Sequence, residues 1–157
     1  MEIIIMCTLI EEENVNIVNL SVELEQAVIQ HRLKDDESIY VNEDGWMPFW
    51  IRVLKHRGFV GLSTHTLFKK SSTELQRLNF CNRINLQYFM LTAYTTDDDK
   101  LKVDFVINFR NGLLRETFIR CCRQFSRTFE SALTELDPDT EIVLLPGQVE
   151  SEDEESE

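Results

Sequence analysis

A chain of 157 residues has room for one domain with a single hydrophobic core, and its 43% apolar and 28% charged residues are ordinary for a globular protein. The formal net charge is −12, and half of it comes from Glu150, Glu152, Asp153, Glu154, Glu155 and Glu157. A surface so acidic disfavours nonspecific contact with nucleic acid or anionic membrane, both of which are polyanions.

Met1 to Ile10 is very apolar but carries Glu2 and no basic residue ahead of the apolar run. It does not read as a secretory signal and is too short to span a bilayer. Ile3 to Ile10 is compatible with a strand, an adhesive arm or partial disorder. Glu11 to Asn19 reads as a connector. Ser21 is a good N-cap with Glu23 and Glu25 in the first turn, which predicts a helix from Val22 to Leu33. Its inward face carries Leu20, Leu24, Ala27, Val28 and His31, with His31 packed or half-exposed and not a ligand.

After the charged turn Lys34 to Glu37, three strands are expected. Ser38 to Asn42 is the first. Phe49 to Lys55 is the second, with Phe49, Ile51 and Val53 alternating against Trp50, Arg52 and Leu54. Phe59 to Phe68 is the third, after a turn at His56-Arg57-Gly58. Trp46 and Trp50, at the entry to the second strand, are expected in the core and not at a binding edge. Ser71 and Glu74 have the spacing of a capping box for a helix running to Tyr88. Leu75, Leu78, Cys81, Ile84 and Leu86 would form its apolar side. Asn79, Asn82 and Asn85 recur every third residue on that helix. Asn is a poor helix former, so the strip is either solvated or bonds to strand backbone or a subunit contact.

Phe89 to Thr95 is the next expected strand, followed by a turn through Asp97, Asp98 and Asp99. Leu101 to Phe109 then alternates cleanly, and Asn111-Gly112 ends it. From Leu113 to Leu136, the residues Leu114, Phe118, Cys122, Phe125, Phe129, Leu133 and Leu136 follow steps of three and four. That spacing places them on one stripe of a long amphipathic helix. Arg120, Arg123 and Arg127 fall on the other side: either a solvated basic face, or a docking face for an acidic partner segment or the chain's own tail. Asp137-Pro138-Asp139 stops the helix. Ile142 to Leu145 reads as a brief edge strand or a packed extension.

No catalytic motif is present. There is no Gly-rich phosphate loop, no Gly-x-Ser-x-Gly and no Cys/His zinc spacing. His56 and His65 would meet across two strands only as a lone pair. Cys7, Cys81, Cys121 and Cys122 form no C-x-x-C and are expected to be reduced and packed as small hydrophobes, in a cytoplasmic compartment. No cofactor or metal is expected.

The run from Asn79 to Phe129, "FCNRINLQYFMLTAYTTDDDKLKVDFVINFRNGLLRETFIRCCRQF" at its centre, resembles the YbjN family of bacterial sensory-transduction regulators. The Cys81-Asn82-x-x-Asn85 helix, the Ala-containing strand, the Asp-rich turn, the alternating strand, the Asn-Gly break and the aromatic-studded helix carry the likeness, which extends over Ser21 to Leu136. It implies a fold similar to the class I chaperones of type III secretion, small acidic α+β proteins that are usually homodimers and hold an extended partner segment. It assigns no functional residue.

The expectation is therefore an α+β domain in the order α-β-β-β-α-β-β-α, an antiparallel sheet of about five strands packed against helices. Residues 1–20 form an extension, 21–146 the domain, and 147–157 a disordered acidic tail. The expected function is a non-catalytic protein-binding module, chaperone-like or regulatory, with a protein partner and a homodimeric state. The alternative is a small-molecule sensor with a pocket between sheet and helix.

Overall fold

The computed structural model describes residues 8–145. Cys7, most of the Ile-rich start and the acidic tail expected to be disordered lie outside the described residues. The fold is α+β. Its main sheet has six strands, every neighbouring pair antiparallel. In chain order the elements are β1 (Leu9–Ile10), α1 (Ile17–Gln26), β2 (His31–Lys34), β3 (Ser38–Val41), β4 (Phe49–Leu54), β5 (Phe59–Leu67), α2 (Glu74–Gln87), β6 (Thr92–Thr95), β7 (Lys100–Asn108), β8 (Leu113–Leu114) and α3 (Arg115–Leu136). The main sheet runs β2-β3-β4-β5-β7-β6, and β1 pairs with β8 in a separate small ladder. The expected order holds, with β2 and the β1–β8 pair added.

The largest correction concerns α1. Its N-cap is Asn16, not Ser21: Asn16 is extended, and its side chain accepts the Asn19 backbone N–H at 2.9 Å. Val15 and Leu20, the positions of a hydrophobic staple, are both fully buried. The helix also stops early. Ile29 N–H donates to Leu24 C=O and Val28 N–H to Glu25 C=O, each at 3.0 Å, a Schellman ending with Val28 at φ 57°. Released from the helix, His31–Lys34 forms the edge strand β2 instead, pairing with Ser38–Val41. His31 is half-buried, with its ring nitrogens 2.7 Å from Ser21 Oγ and from Ile29 C=O.

The other boundaries moved less. The capping box of α2 is Thr73 with Gln76, two residues beyond Ser71 and Glu74. Ser72 is spent on Lys69 C=O and the Arg77 guanidinium. The strand expected from Phe89 is confined to Thr92–Thr95. At Gly112, with φ 102°, an added Cβ would crowd Leu9 and the Ile10 carbonyl, so glycine there suits both the left-handed backbone and the close approach of β1 to β8.

Core and sheet follow from the two periodicities. On α3, Phe118, Cys122, Phe125, Phe129, Leu133 and Leu136 are buried as the spacing predicts, joined by Ile119 and Ala132; Leu114 is exposed on β8. Phe125 meets Phe49 edge-on at 5.3 Å between centroids. The inward row of the sheet includes Ile39, Val41, Phe49, Ile51, Val60, Leu62, Leu101, Val103 and Ile107. Cys81 and Cys122 are buried free thiols and Cys121 a half-buried one. Burial pushes all three thiols up, Cys81 to about 11. Beyond α3, Asp137 accepts the backbone N–H groups of Glu141, Ile142 and Val143 at 2.8–3.0 Å. That strap delivers Val143 to a bridge with Phe68, beside the end of β5.

Candidate interaction surfaces

Helix α2 carries two apolar stripes. Phe80, Cys81 and Ile84 enter the core. On the opposite side, within about a quarter turn at 100° per residue, lie Leu75, Leu78, Asn79, Asn82 and Leu86. Leu75 is 68% exposed and Leu86 74%, and Phe89, just past the helix end, is 95% exposed. Leu75, Leu78 and Leu86 were expected inside. They face solvent because the stripe led by Phe80 and Ile84 takes the core side. Asn79 and Asn82 are exposed among these leucines.

Asn85 does something different. Its side-chain amide donates to Ala93 C=O at 3.0 Å and its amide oxygen accepts Ala93 N–H at 2.7 Å. Both backbone groups of Ala93 on the open side of β6 are thereby satisfied, so α2 seals that sheet edge without a further strand. The opposite edge, β2, has no strand neighbour on its outer side among the described residues. It carries Arg32 and Lys34, charges of the kind that blunt an open edge.

The outer face of the sheet faces solvent. Trp50 lies there, half-buried and not in the core as expected: it stacks on His65 at 5.1 Å and 17°, with Tyr40 on its other flank at 4.9 Å. Trp46 does pack against the core. His56 sits in the β4–β5 turn, away from His65. No cluster of three metal-ligating side chains exists among the described residues.

The basic face of α3 lies over a groove. Arg115, Arg120, Arg123, Arg127, Glu116, Gln124, Ile119 and Ala27 line about 570 Å³ of it. Arg115 pairs with Glu23. No described carboxylate lies within ion-pair distance of Arg120, Arg123 or Arg127. The spacing of the three arginines on α3 was the signal for this surface. The α2 stripe was missed, because two stripes on one helix look alike until a core chooses between them.

Comparisons with known proteins bear on the fold. The family model YbjN, described as "Putative bacterial sensory transduction regulator", matches residues 16–138. No curated protein sequence matches the chain. The crystal structure of YbjN from E. coli superposes with a TM-score of 0.69 at 17% identity, covering 83% of this chain and 96% of that one. The HopA1-SchA chaperone-effector complex contains a chain that matches with a TM-score of 0.50 at 12% identity, covering 76% and 88% respectively. No described helix is long and apolar enough to cross a membrane.

Proposed function

The chain belongs to the YbjN family, and from that premise we propose that it is a non-catalytic protein-binding module of chaperone-like or regulatory kind. In this reading it works as a homodimer joined through the outer stripe of α2 and holds a partner segment at the free β2 edge. The observation that carries the reading is the α2 stripe: three leucines at helical spacing and a phenylalanine 95% in water. Singly scattered exposed apolar residues are normal, whereas apolar residues gathered on one exposed face point to an interaction site. The similarity in fold to a chain of a chaperone-effector complex supports the same reading. At the β2 edge an acidic partner strand would neutralise Arg32 and Lys34, the charges that turn other strands away, and add backbone hydrogen bonds. The grooves on α3 and on the outer sheet face are surface features, and neither is a chamber between sheet and helix of the kind a small-molecule sensor needs.

The test is sedimentation equilibrium of the full chain beside Leu86→Asp and Phe89→Ser, with circular dichroism to confirm that each folds. The expected result is a dimer that both substitutions convert to a folded monomer. A wild-type chain that stays monomeric at high micromolar concentration sinks the dimer.

A further inference from the structure

We propose that the α3 groove is the docking site of the chain's own acidic segment, residues 150–157. This goes beyond the reading above and uses a different surface. Three facts point to it. First, charge: in a chain of net charge −12, Arg120, Arg123 and Arg127 share one helix face and none of them meets a described carboxylate. Arginines with no carboxylate partner among the described residues, in so acidic a chain, are the natural seat for its densest acidic run.

Second, the place where the described chain ends. Leu144 is fixed beside β5: its carbonyl accepts from Thr66 Oγ1, and its N–H donates to Leu67 C=O. Two residues along that strand, Thr64 Oγ1 donates to Pro48 C=O at 2.8 Å, and neighbouring Met47 N–H donates to Ser126 Oγ at 2.8 Å. Ser126 adjoins Arg127, so a run of bonded neighbours links the last described residues to the Arg127 end of the groove.

Third, reach. Four residues, Pro146 to Val149, separate Leu145 from Glu150, enough for about 13 Å of chain. The groove runs about 18 Å from Arg115 to Arg127 along the helix axis, and eight residues of acidic chain extend over about 26 Å. Each exposed pair is weak. Attachment compensates, since a short linker holds the segment at an effective concentration in the millimolar range. The segment then acts as a built-in competitor that any other anion must displace from α3.

The experiment compares the full chain with a chain ending at Val149, using as probe a fluorescent peptide of residues 148–157 added in trans. The expected result is that the shortened chain binds the peptide about five-fold to ten-fold more tightly, as a tethered competitor at about 1 mM predicts for a segment whose own Kd is roughly 0.1–0.2 mM. That binding should weaken as salt rises. It should be lost in the shortened chain carrying Arg120→Gln, Arg123→Gln and Arg127→Gln, and partly lost with Arg123→Gln alone, each checked for an unchanged melting temperature. Equal affinity for full and shortened chains overturns the proposal and leaves the groove to a partner. Undiminished binding to the triple variant, or no binding by any form, overturns it too. An oligonucleotide of matched charge that outcompetes the peptide assigns the groove to nucleic acid instead.

Discussion

Val28 is in an unusual state for a valine. It holds φ 57° at the residue just past α1, where glycine is the usual occupant, and its side chain is 84% exposed. A left-handed conformation costs an L-residue about 1–2 kcal/mol, and β-branching makes it worse. Val28→Gly removes that strain. It also gives back about 0.5–1 kcal/mol, because glycine has more freedom to lose on folding. With so little of the side chain buried, there is almost no packing to lose. The net is a stabilisation of about 0.5–1 kcal/mol, which for a domain of this size raises the melting temperature by about 1–4 °C. Val28→Asn, which tolerates the same backbone without glycine's entropy, should do as well. Calorimetry of the three proteins in one buffer decides it. If both variants melt at or below the wild-type temperature, strain is not what distinguishes this valine, and its isopropyl group is held by a contact that one chain does not show.

Two further outcomes follow from single side chains. Asp137, 5% exposed, ties the end of α3 to the backbone of Glu141, Ile142 and Val143 through its carboxylate. Hydrogen bonds to a charged group contribute about 1.5–3 kcal/mol each. The strap can rehydrate in part, so Asp137→Ala should cost about 3 kcal/mol in urea unfolding, and Asp137→Asn, which keeps one acceptor oxygen, about half as much; equal losses would show that the acceptors are not what matters. His65 gives a pH dependence. Burial lowers its pKa below the ordinary 6.5, Lys100 lowers it further, Asp98 opposes, and Lys102 adds to the lowering. As pH falls through the unfolded value, the unfolded chain takes up the proton before the folded one does. The stability this group contributes is therefore complete above about pH 6.5 and declines below it, to a floor beneath the folded pKa. The urea midpoint should drop between about pH 7.5 and about pH 5.5, and His65→Gln should flatten that part of the drop. Trp50, stacked on the ring, reports the same titration by fluorescence; a fluorescence midpoint at or above 6.5 would contradict it.

The parts of the fold legible in the sequence are those where one period runs without a rival. On α3 a single stripe of Phe118, Cys122, Phe125, Phe129 and Leu133 predicts its own burial, and on β7 alternation does the same. Legibility failed where two readings satisfied the local rules equally. Ser21 and Asn16 are both good caps, and only the staple residues Val15 and Leu20 distinguish them, through burial the sequence does not state. The end of α1 carries no glycine to announce it, because Val28 bears the strain that glycine would have relieved. On β4 the pattern separated Phe49 and Ile51 from Trp50 and Arg52, but period two is silent about which set meets the helices. The purely apolar set went inside and left Trp50 to stack on the outer face with Tyr40 and His65. Helix α2 is the telling case. Its two apolar stripes are redundant for one domain, since a helix packed on one side buries one of them. A second stripe that the described residues leave exposed costs solubility, and this supports the dimer contact proposed above. The misreading of Leu75, Leu78 and Leu86 as core and the proposal of that stripe as an interface thus have one cause: the stripe is apolar enough for a core, and the described residues leave it exposed.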